Sequence, residues 1–278
     1  MKRVLFMFLL MPFLAISYAQ EPAIVENAEQ HRAVVDSLTM EEKEVAFHLV
    51  EEAALSAIDS IMDEGRYMQA LDMLDYLQED WKKLTNRAPS LRMYLKKANI
   101  QMYLEEWTEL IATTEECLDV HKDDILEVEG VAALMYSMQG NGHRNLEKYR
   151  DAIRSYENAA YYYTKRGDLG GQGDMFCNMA YCYSHLNKYT MASSFYEKGL
   201  DKYLKYFDTT RFVLLRDDFY VKDPYKQTVL GVFAAHLFCM AVYEQDYGSR
   251  SASKDYLLMS AHCGDENARS EYRRIYGH

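Results

Sequence analysis

The sequence predicts an all-α fold, a right-handed superhelical solenoid of stacked antiparallel helix pairs. Only four prolines occur, Pro12, Pro22, Pro89 and Pro224. Long stretches therefore run free of helix breakers, whereas a β-sandwich needs frequent punctuated turns. A second observation is a recurring aromatic residue followed three positions later by a small or aliphatic one, in RYMQALDML, EWTELIATT, KYRDAIRSY and KYTMASSFY. The aromatic residues Tyr67, Trp107, Tyr149 and Tyr189 lie 40, 42 and 40 residues apart, and a period in this range signals a repeat architecture. Composition agrees: 49% of the 278 residues are hydrophobic and 27% charged, which excludes intrinsic disorder.

At the N-terminus, Lys2 and Arg3 precede an apolar run over residues 4–16, and Ser17, Tyr18 and Ala19 place small residues at the −3 and −1 positions. This is the pattern of a secretory signal peptide over residues 1–19, cleaved after Ala19. The alternative is an uncleaved membrane anchor, but the run falls short of the ~20 apolar residues that span a bilayer. No cysteine lies near the cleavage point, which argues against a lipid-anchored start. The expected location is therefore exported, periplasmic or secreted, in a bacterial cell envelope. Losing Lys2 and Arg3 takes the formal charge from −12 to −14. Such acidity argues against nucleic-acid binding, which needs a basic footprint, and favours solubility.

Residues 20–278 read as one repeat domain, with units at roughly 45–84, 91–122, 124–166, 173–207 and 225–275. Thr39 and Glu42 form a capping-box pattern that opens the first helix. Three positions after each repeated aromatic lie Ala70, Leu110, Ala152 and Ala192. Seven positions after lie Leu74, Thr114, Tyr156 and Tyr196, and ten after lie Leu77, Cys117, Ala159 and Gly199. Such offsets trace one face of a helix, and small residues there let a neighbour approach closely. Upstream, Phe176, Met179, Ala180 and Tyr183 mark a preceding helix, and Asn187-Lys188 turns the chain into Tyr189. Each unit is thus a helix, a tight turn and a second helix. Ser90, after Pro89, starts another helix.

Other segments depart from this regularity. The unit ending at Tyr149 carries an insertion at Gly140-Asn141-Gly142, and the glycines between Gly167 and Gly173 read as a flexible loop between repeats. Residues 208–223 break the pattern and suggest a small hairpin or an irregular arm packed against adjacent helices. Residues 229–242 form an apolar run of 14 residues containing His236. It reads as a helix buried on most sides rather than a membrane span, with His236 as a hydrogen-bonded core histidine.

These residues resemble the tetratricopeptide repeat family. Residues 173–206 match it through Phe176, Ala180, Tyr183, Tyr189, Ala192, Tyr196 and Gly199. Residues 92–122 keep Ala98, Trp107 and Cys117, with Leu110 at the small position, and residues 51–84 keep Gly65, Tyr67 and Ala70. The family period is ~34 residues, so the excess lies after the second helices, as longer helices or loops near residues 86–90 and 167–173. HEAT-like pairs share the longer period, but the Tyr/Ala signature argues against them. Near the C-terminus, Ala252, Tyr256, Ser260, Ala261, Gly264 and Ala268 resemble the Sel-like variant.

Signs of catalysis or cofactor binding are missing. The sequence has no HExxH, GxSxG, P-loop or CxxC motif, and GDLGGQG does not follow a strand as a dinucleotide site requires. Adjacent acids such as Glu105-Glu106 or Asp217-Asp218 point ~100° apart on a helix and do not converge on one substrate. Cys177, Cys182 and His185 fan over ~140° of a helix, too wide for three ligands of one metal ion. The five cysteines, Cys117, Cys177, Cys182, Cys239 and Cys263, read as small core residues, and their odd number leaves one unpaired within a monomer. No cofactor and no metal are expected.

The expected function is a non-catalytic scaffold that binds a protein or peptide partner. A ligand-sensing or assembly subunit of an envelope complex, recognising glycan or another small ligand, is the alternative. The resemblance implies a concave face built from the first helix of each unit. Carried onto this chain, its inward positions are Asp59 and Met62, then Arg92, Asn99 and Met102, then Tyr181 and His185. The family's site for acidic peptide C-termini uses several Lys and Asn residues, of which only Arg92 and Asn99 have matching character here. The 24 tyrosines exceed the repeat's packing positions and suit a recognition surface, being large and amphipathic at low entropy cost. With the methionines they suggest an extended segment held by apolar anchors.

Overall fold

The computed structural model describes residues 39–122, 129–216 and 218–277. Among the described residues there are twelve helices and no strand. The first four are α1 (Met40–Asp63), α2 (Tyr67–Thr85), α3 (Leu91–Tyr103) and α4 (Trp107–Val120). Next come α5 (Glu129–Asn145), α6 (Tyr149–Lys165), α7 (Leu169–His185) and α8 (Tyr189–Tyr206). The short α9 (Arg211–Arg216) leads to α10 (Pro224–Tyr247), α11 (Arg250–His262) and α12 (Glu266–Tyr276). The chain divides after His121 into two compact units, α1–α4 in unit one and α5–α12 in unit two.

Within each unit, sequential helices pack as antiparallel pairs. In unit one these are α1/α2 and α3/α4, with α2 on α3. In unit two they are α5/α6, α7/α8 and α10/α11, with α6 on α7 and α12 on α11. The repeated aromatics Tyr67, Trp107, Tyr149 and Tyr189 are each the first residue of a second helix. The face predicted at offsets of three, seven and ten is the buried one: Ala70, Ala152, Ala192, Leu74, Tyr156, Leu77 and Ala159 all have at most 4% exposure.

The turns share one hydrogen-bond pattern. After α1, the Gly65 N–H donates to Met62 O and the Arg66 N–H donates to Ile61 O. The same pair of bonds closes α3 at Glu105–Glu106, α5 at Glu147–Lys148, α6 at Gly167–Asp168, α7 at Asn187–Lys188 and α11 at Gly264–Asp265. This Schellman closure needs a left-handed residue, and the middle residue has φ of 75° at Gly65, 58° at Glu105 and Glu147, and 59° at Asn187. Where no glycine occupies that position, the side chain costs roughly 1–2 kcal/mol in left-handed backbone. Helix starts are capped as the sequence suggests at Ser90, whose hydroxyl accepts from the Met93 N–H at 3.2 Å. Asp168, Asp223 and Asp265 cap α7, α10 and α12 in the same way.

Unit one is cored by Leu55, Ile58, Leu74, Leu77, Met93 and Ile100 around Trp81. Unit two packs tyrosine rings against glycines. A Cβ on Gly140 would lie 2.5 Å from the Tyr156 ring, one on Gly173 2.9 Å from the Tyr203 ring, and one on Gly199 2.4 Å from Cys177 Sγ. The absence of these Cβ atoms lets α5 and α6, and α7 and α8, approach closely enough to bury whole rings.

This packing corrects three expectations. Gly140, Asn141 and Gly142 are not an inserted loop but lie inside α5, where Tyr156 Oη donates to Asn141 Oδ1 at 2.8 Å. Likewise, only residues 166–168 form the turn before α7, and the remaining glycines of that stretch are helical, with Gly171 under Tyr163, Gly173 under Tyr203 and Gly170 beside Val229 and Tyr206. The α10 run is not buried on most sides: Phe233, Ala234, Leu237 and Ala241 are buried, while Val232 and Val242 are 40% and 43% exposed.

The excess length over the family period is explained by helices of 17 residues in α6 and α7, and by residues 86–90. That link is pinned where Trp81 Nε1 donates to Ala88 O at 2.6 Å and His121 Nε2 meets Pro89 O at 2.7 Å. Residues 208–223 contain α9, which packs on α11 with Leu214 fully buried. The Phe219 N–H donates to His262 O at 2.8 Å, so the described part of this segment packs against adjacent helices as expected, but it is built on a short helix rather than a hairpin or an irregular arm.

Candidate functional site

The seven expected recognition residues fall into two groups. Five lie on α1 and α3 of unit one, which are in mutual contact. There Asp59 pairs with Lys96, and Arg92 Nη1 lies 3.5 Å from Glu52 Oε1. Met62, Asn99 and Met102 are half-buried beside them. The first helices of unit one thus spend their charges on each other, through two partners, Glu52 and Lys96, that the repeat pattern does not single out.

Tyr181 and His185 lie on α7 of unit two, and the structure brings them together at one cavity of about 420 Å³. Ser184 joins them from α7, Asn187 from the following turn and Tyr196 from α8. The opposite wall is α10, with Phe238, Cys239, Val242, Tyr243, Asp246 and Tyr247. These six α10 residues were not expected. Their spacing places 238, 239, 242, 243 and 246 on one helical face, but that periodicity was hidden in a run that is apolar all round.

Ring contacts hold the cavity's shape. His185 stacks on Tyr149, centroids 4.8 Å apart and 16° between planes, and meets Tyr181 at 4.4 Å. Tyr189 stacks on Tyr247 at 4.3 Å, and Tyr243 Oη donates to Tyr189 O at 2.7 Å. Unit one repeats the first arrangement where Tyr67 stacks on Tyr103 at 4.7 Å. The repeated aromatic at the start of a second helix therefore stacks on the last residue of the next first helix. That role, at the edge of the cavity, is not visible in a repeat pattern alone.

Behind Tyr181 runs a polar chain across α5, α7 and α10. Arg144 Nη1 donates to Asn178 Oδ1 at 2.6 Å, Asn178 Nδ2 donates to Asp174 Oδ1 at 2.8 Å, and His236 Nε2 lies 2.8 Å from the same carboxylate oxygen. His236 is thus the hydrogen-bonded histidine that its apolar surroundings suggested. Arg144 also stands 5.7 Å over the Tyr181 ring.

The cysteines are free thiols. Burial pushes Cys182 and Cys263 up to about 12 and raises Cys239 as well, so the thiolate needed for nucleophilic or metal chemistry is disfavoured. Cys177 packs beside Gly199, Cys182 belongs to the core around Tyr156, and His185 is exposed, so the three do not converge. Among the described residues no cluster of His, Cys, Asp or Glu could hold a metal ion. One described helix, α10, is long and apolar enough to cross a membrane.

No family model matches the chain, and no curated protein is similar to it in sequence. Solved structures are similar in fold. The TPR-like repeats of a kinesin light chain from Podosopora anserina match with a TM-score of 0.53 at 10% identity, over 79% of this chain and 96% of that one. A variant of those repeats with one glutamine replaced by methionine matches with a TM-score of 0.55 at 12% identity, over 78% and 96%. The fold is therefore TPR-like, as its repeats suggest. These likenesses do not single out α11 and α12 as Sel-like.

Proposed function

We propose that the protein is an exported, non-catalytic scaffold that binds an extended peptide segment of a protein partner through its first helices. The observation that carries this reading is the cavity between α7, α8 and α10, where Tyr181 and His185 meet an open, aromatic face of α10. Pockets of this size, mostly apolar with a few convergent polar groups, are ordinary recognition sites. Buried cysteines whose thiols are held neutral disfavour nucleophilic chemistry, which supports a binding role over catalysis. The buried Phe233, Leu237 and Ala241 support reading α10 as a packed helix of a soluble protein. The acidic charge of −12 supports a partner other than nucleic acid. The signal-peptide pattern, which lies outside the described residues, supports export.

A second reading, a subunit sensing a glycan or another small ligand, is favoured by one feature: Ser184, Asn187 and Asp246 sit among the rings, as hydroxyl-binding groups do. Affinity capture from the native envelope, repeated with Tyr181→Ala and Asn99→Ala, tests the peptide reading. A specific partner should be lost from both variants while their melting temperatures hold. Retention by both would move the interface away from the first helices. In parallel, a rise in melting temperature with oligosaccharides but with no peptide would favour the second reading. N-terminal sequencing of the exported chain should begin after Ala19, and a chain beginning at Met1 would remove the export proposal.

A further inference from the structure

We infer that the cavity between α7, α8 and α10 takes a basic side chain, arginine or lysine, of the bound peptide; this rests on the peptide reading above. Asp246 is the one formally charged residue in the lining, and no lysine or arginine lines the cavity. Among the described residues Asp246 has no hydrogen-bond or ionic partner. Elsewhere in unit two, Asp174 meets His236, Asp201 meets Lys205 and Glu197 meets Arg211. An unpaired carboxylate beside aromatic walls disfavours an anion and leaves a cation's counter-charge in place.

The walls suit the same ligand. Tyr196, Tyr243, Tyr247 and Phe238 contribute rings, whose negative faces attract guanidinium and ammonium groups. Unit two already uses its tyrosines in this way, with Lys165 Nζ 4.9 Å over Tyr161 and Lys254 Nζ 5.0 Å over Tyr276. The Tyr243 hydroxyl is committed to Tyr189 O, so Tyr243 offers mainly its ring. Arg144, over Tyr181, is held by Asn178 and does not pair with Asp246. The formal charge of −12 draws a basic segment in from a distance. A planar guanidinium would stack on the rings while donating to the carboxylate, which makes arginine the preferred occupant.

The test selects peptides from a random dodecapeptide display library on the full chain. Each winner is then synthesised with arginine or with its neutral isostere citrulline, or with lysine or norleucine. Binding is measured by fluorescence anisotropy. One position should be enriched in arginine or lysine, and the neutral analogue should bind about tenfold more weakly, the size of one charge-assisted contact. Asp246→Asn, an exposed position, should keep its melting temperature and bind both analogues at the weaker level. If peptides are selected without basic enrichment, or if Asp246→Asn keeps the preference for arginine, the inference is overturned and the peptide reading stands. If no peptide is selected, the peptide reading itself fails and this inference falls with it.

Discussion

Units one and two are built from the same helix pairs by different chemistry. Unit one joins its helices with aliphatic side chains around Trp81 and braces its first helices with Glu52–Arg92 and Asp59–Lys96. Unit two joins its helices with tyrosine rings laid on Gly140 and Gly173 and leaves Asp246 unpaired beside an aromatic cavity. A TPR-like helix pair thus sets where helices cross, not what fills the crossing. The unit with the aromatic cavity uses rings both for its core and for its open face, which is why tyrosine counts alone could not separate the two placements.

The largest expected effect comes from alkali. Free thiols and phenols ionise near 9 and 10, whereas burial pushes Cys182 and Cys263 up to about 12 and raises Tyr156, Tyr163, Tyr196 and Tyr203 further. Their folded values lie above their unfolded ones. Their contribution is complete below the unfolded values and is lost as pH rises towards the folded ones. Unit one has fewer such groups, Tyr94 and Cys117 chief among them. Between about pH 9 and 12, far-UV ellipticity should fall before the fluorescence of Trp81 and Trp107 changes, since both tryptophans lie in unit one. Fluorescence changing first would reverse the comparison.

Next in size is Tyr203. It is fully buried against Phe233 and Gly173, and its hydroxyl has no hydrogen-bond partner among the described residues. Tyr203→Ala should cost ~3–5 kcal/mol. Tyr203→Phe removes an unsatisfied buried hydroxyl and should raise the urea midpoint by the equivalent of about 1 kcal/mol. In unit one, Leu74→Ala should cost ~2–5 kcal/mol with a matching fall in the fluorescence midpoint. If Tyr203→Phe destabilises, the ring-on-glycine account of unit two is incomplete.

The turns sharpen the comparison with changes of opposite sign. Gly65→Ala in unit one should cost about 1 kcal/mol at a left-handed position. Glu147→Gly in unit two should gain about 0.5 kcal/mol, since relieving the left-handed strain outweighs the added freedom of the unfolded chain. Thermal unfolding of the two variants reads the signs, and equal signs would mean that the turns are not equivalent. The smallest effect is expected at Asp59. Its carboxylate is 54% exposed, and exposed pairs contribute about 0–1 kcal/mol. Asp59→Asn should leave the midpoint nearly unchanged and reduce its salt dependence. A loss above about 2 kcal/mol would mark the brace as a main support of unit one.

Much of this was legible in the chain. The offsets from Tyr67, Trp107, Tyr149 and Tyr189 located every second helix of the first four pairs and the face each buries, because helical periodicity is local and burial leaves its mark on residue size. The Ser90 cap was readable for the same reason, whereas for His236 the sequence pointed to a hydrogen bond but not to its partner Asp174, 62 residues away. The glycines of α5 and α7 misled, since glycine favours loops by its backbone freedom, and only a ring from the neighbouring helix explains a glycine inside a helix. Of the expected recognition residues, Tyr181 and His185 meet at the cavity, while Asp59 and Arg92 meet charges from the adjacent first helix.

What the sequence determined by itself was the repeat: the helical period, the order of helix and turn, and the face turned inward. These depend on residues a few positions apart, whose neighbours the chain itself dictates. Only the tertiary structure decided which face of α10 stays open, which carboxylate lacks a partner and which rings line the cavity. Those outcomes depend on how closely α7, α8 and α10 pack, which is set by contacts between residues far apart in the chain, such as Gly173 beneath the Tyr203 ring.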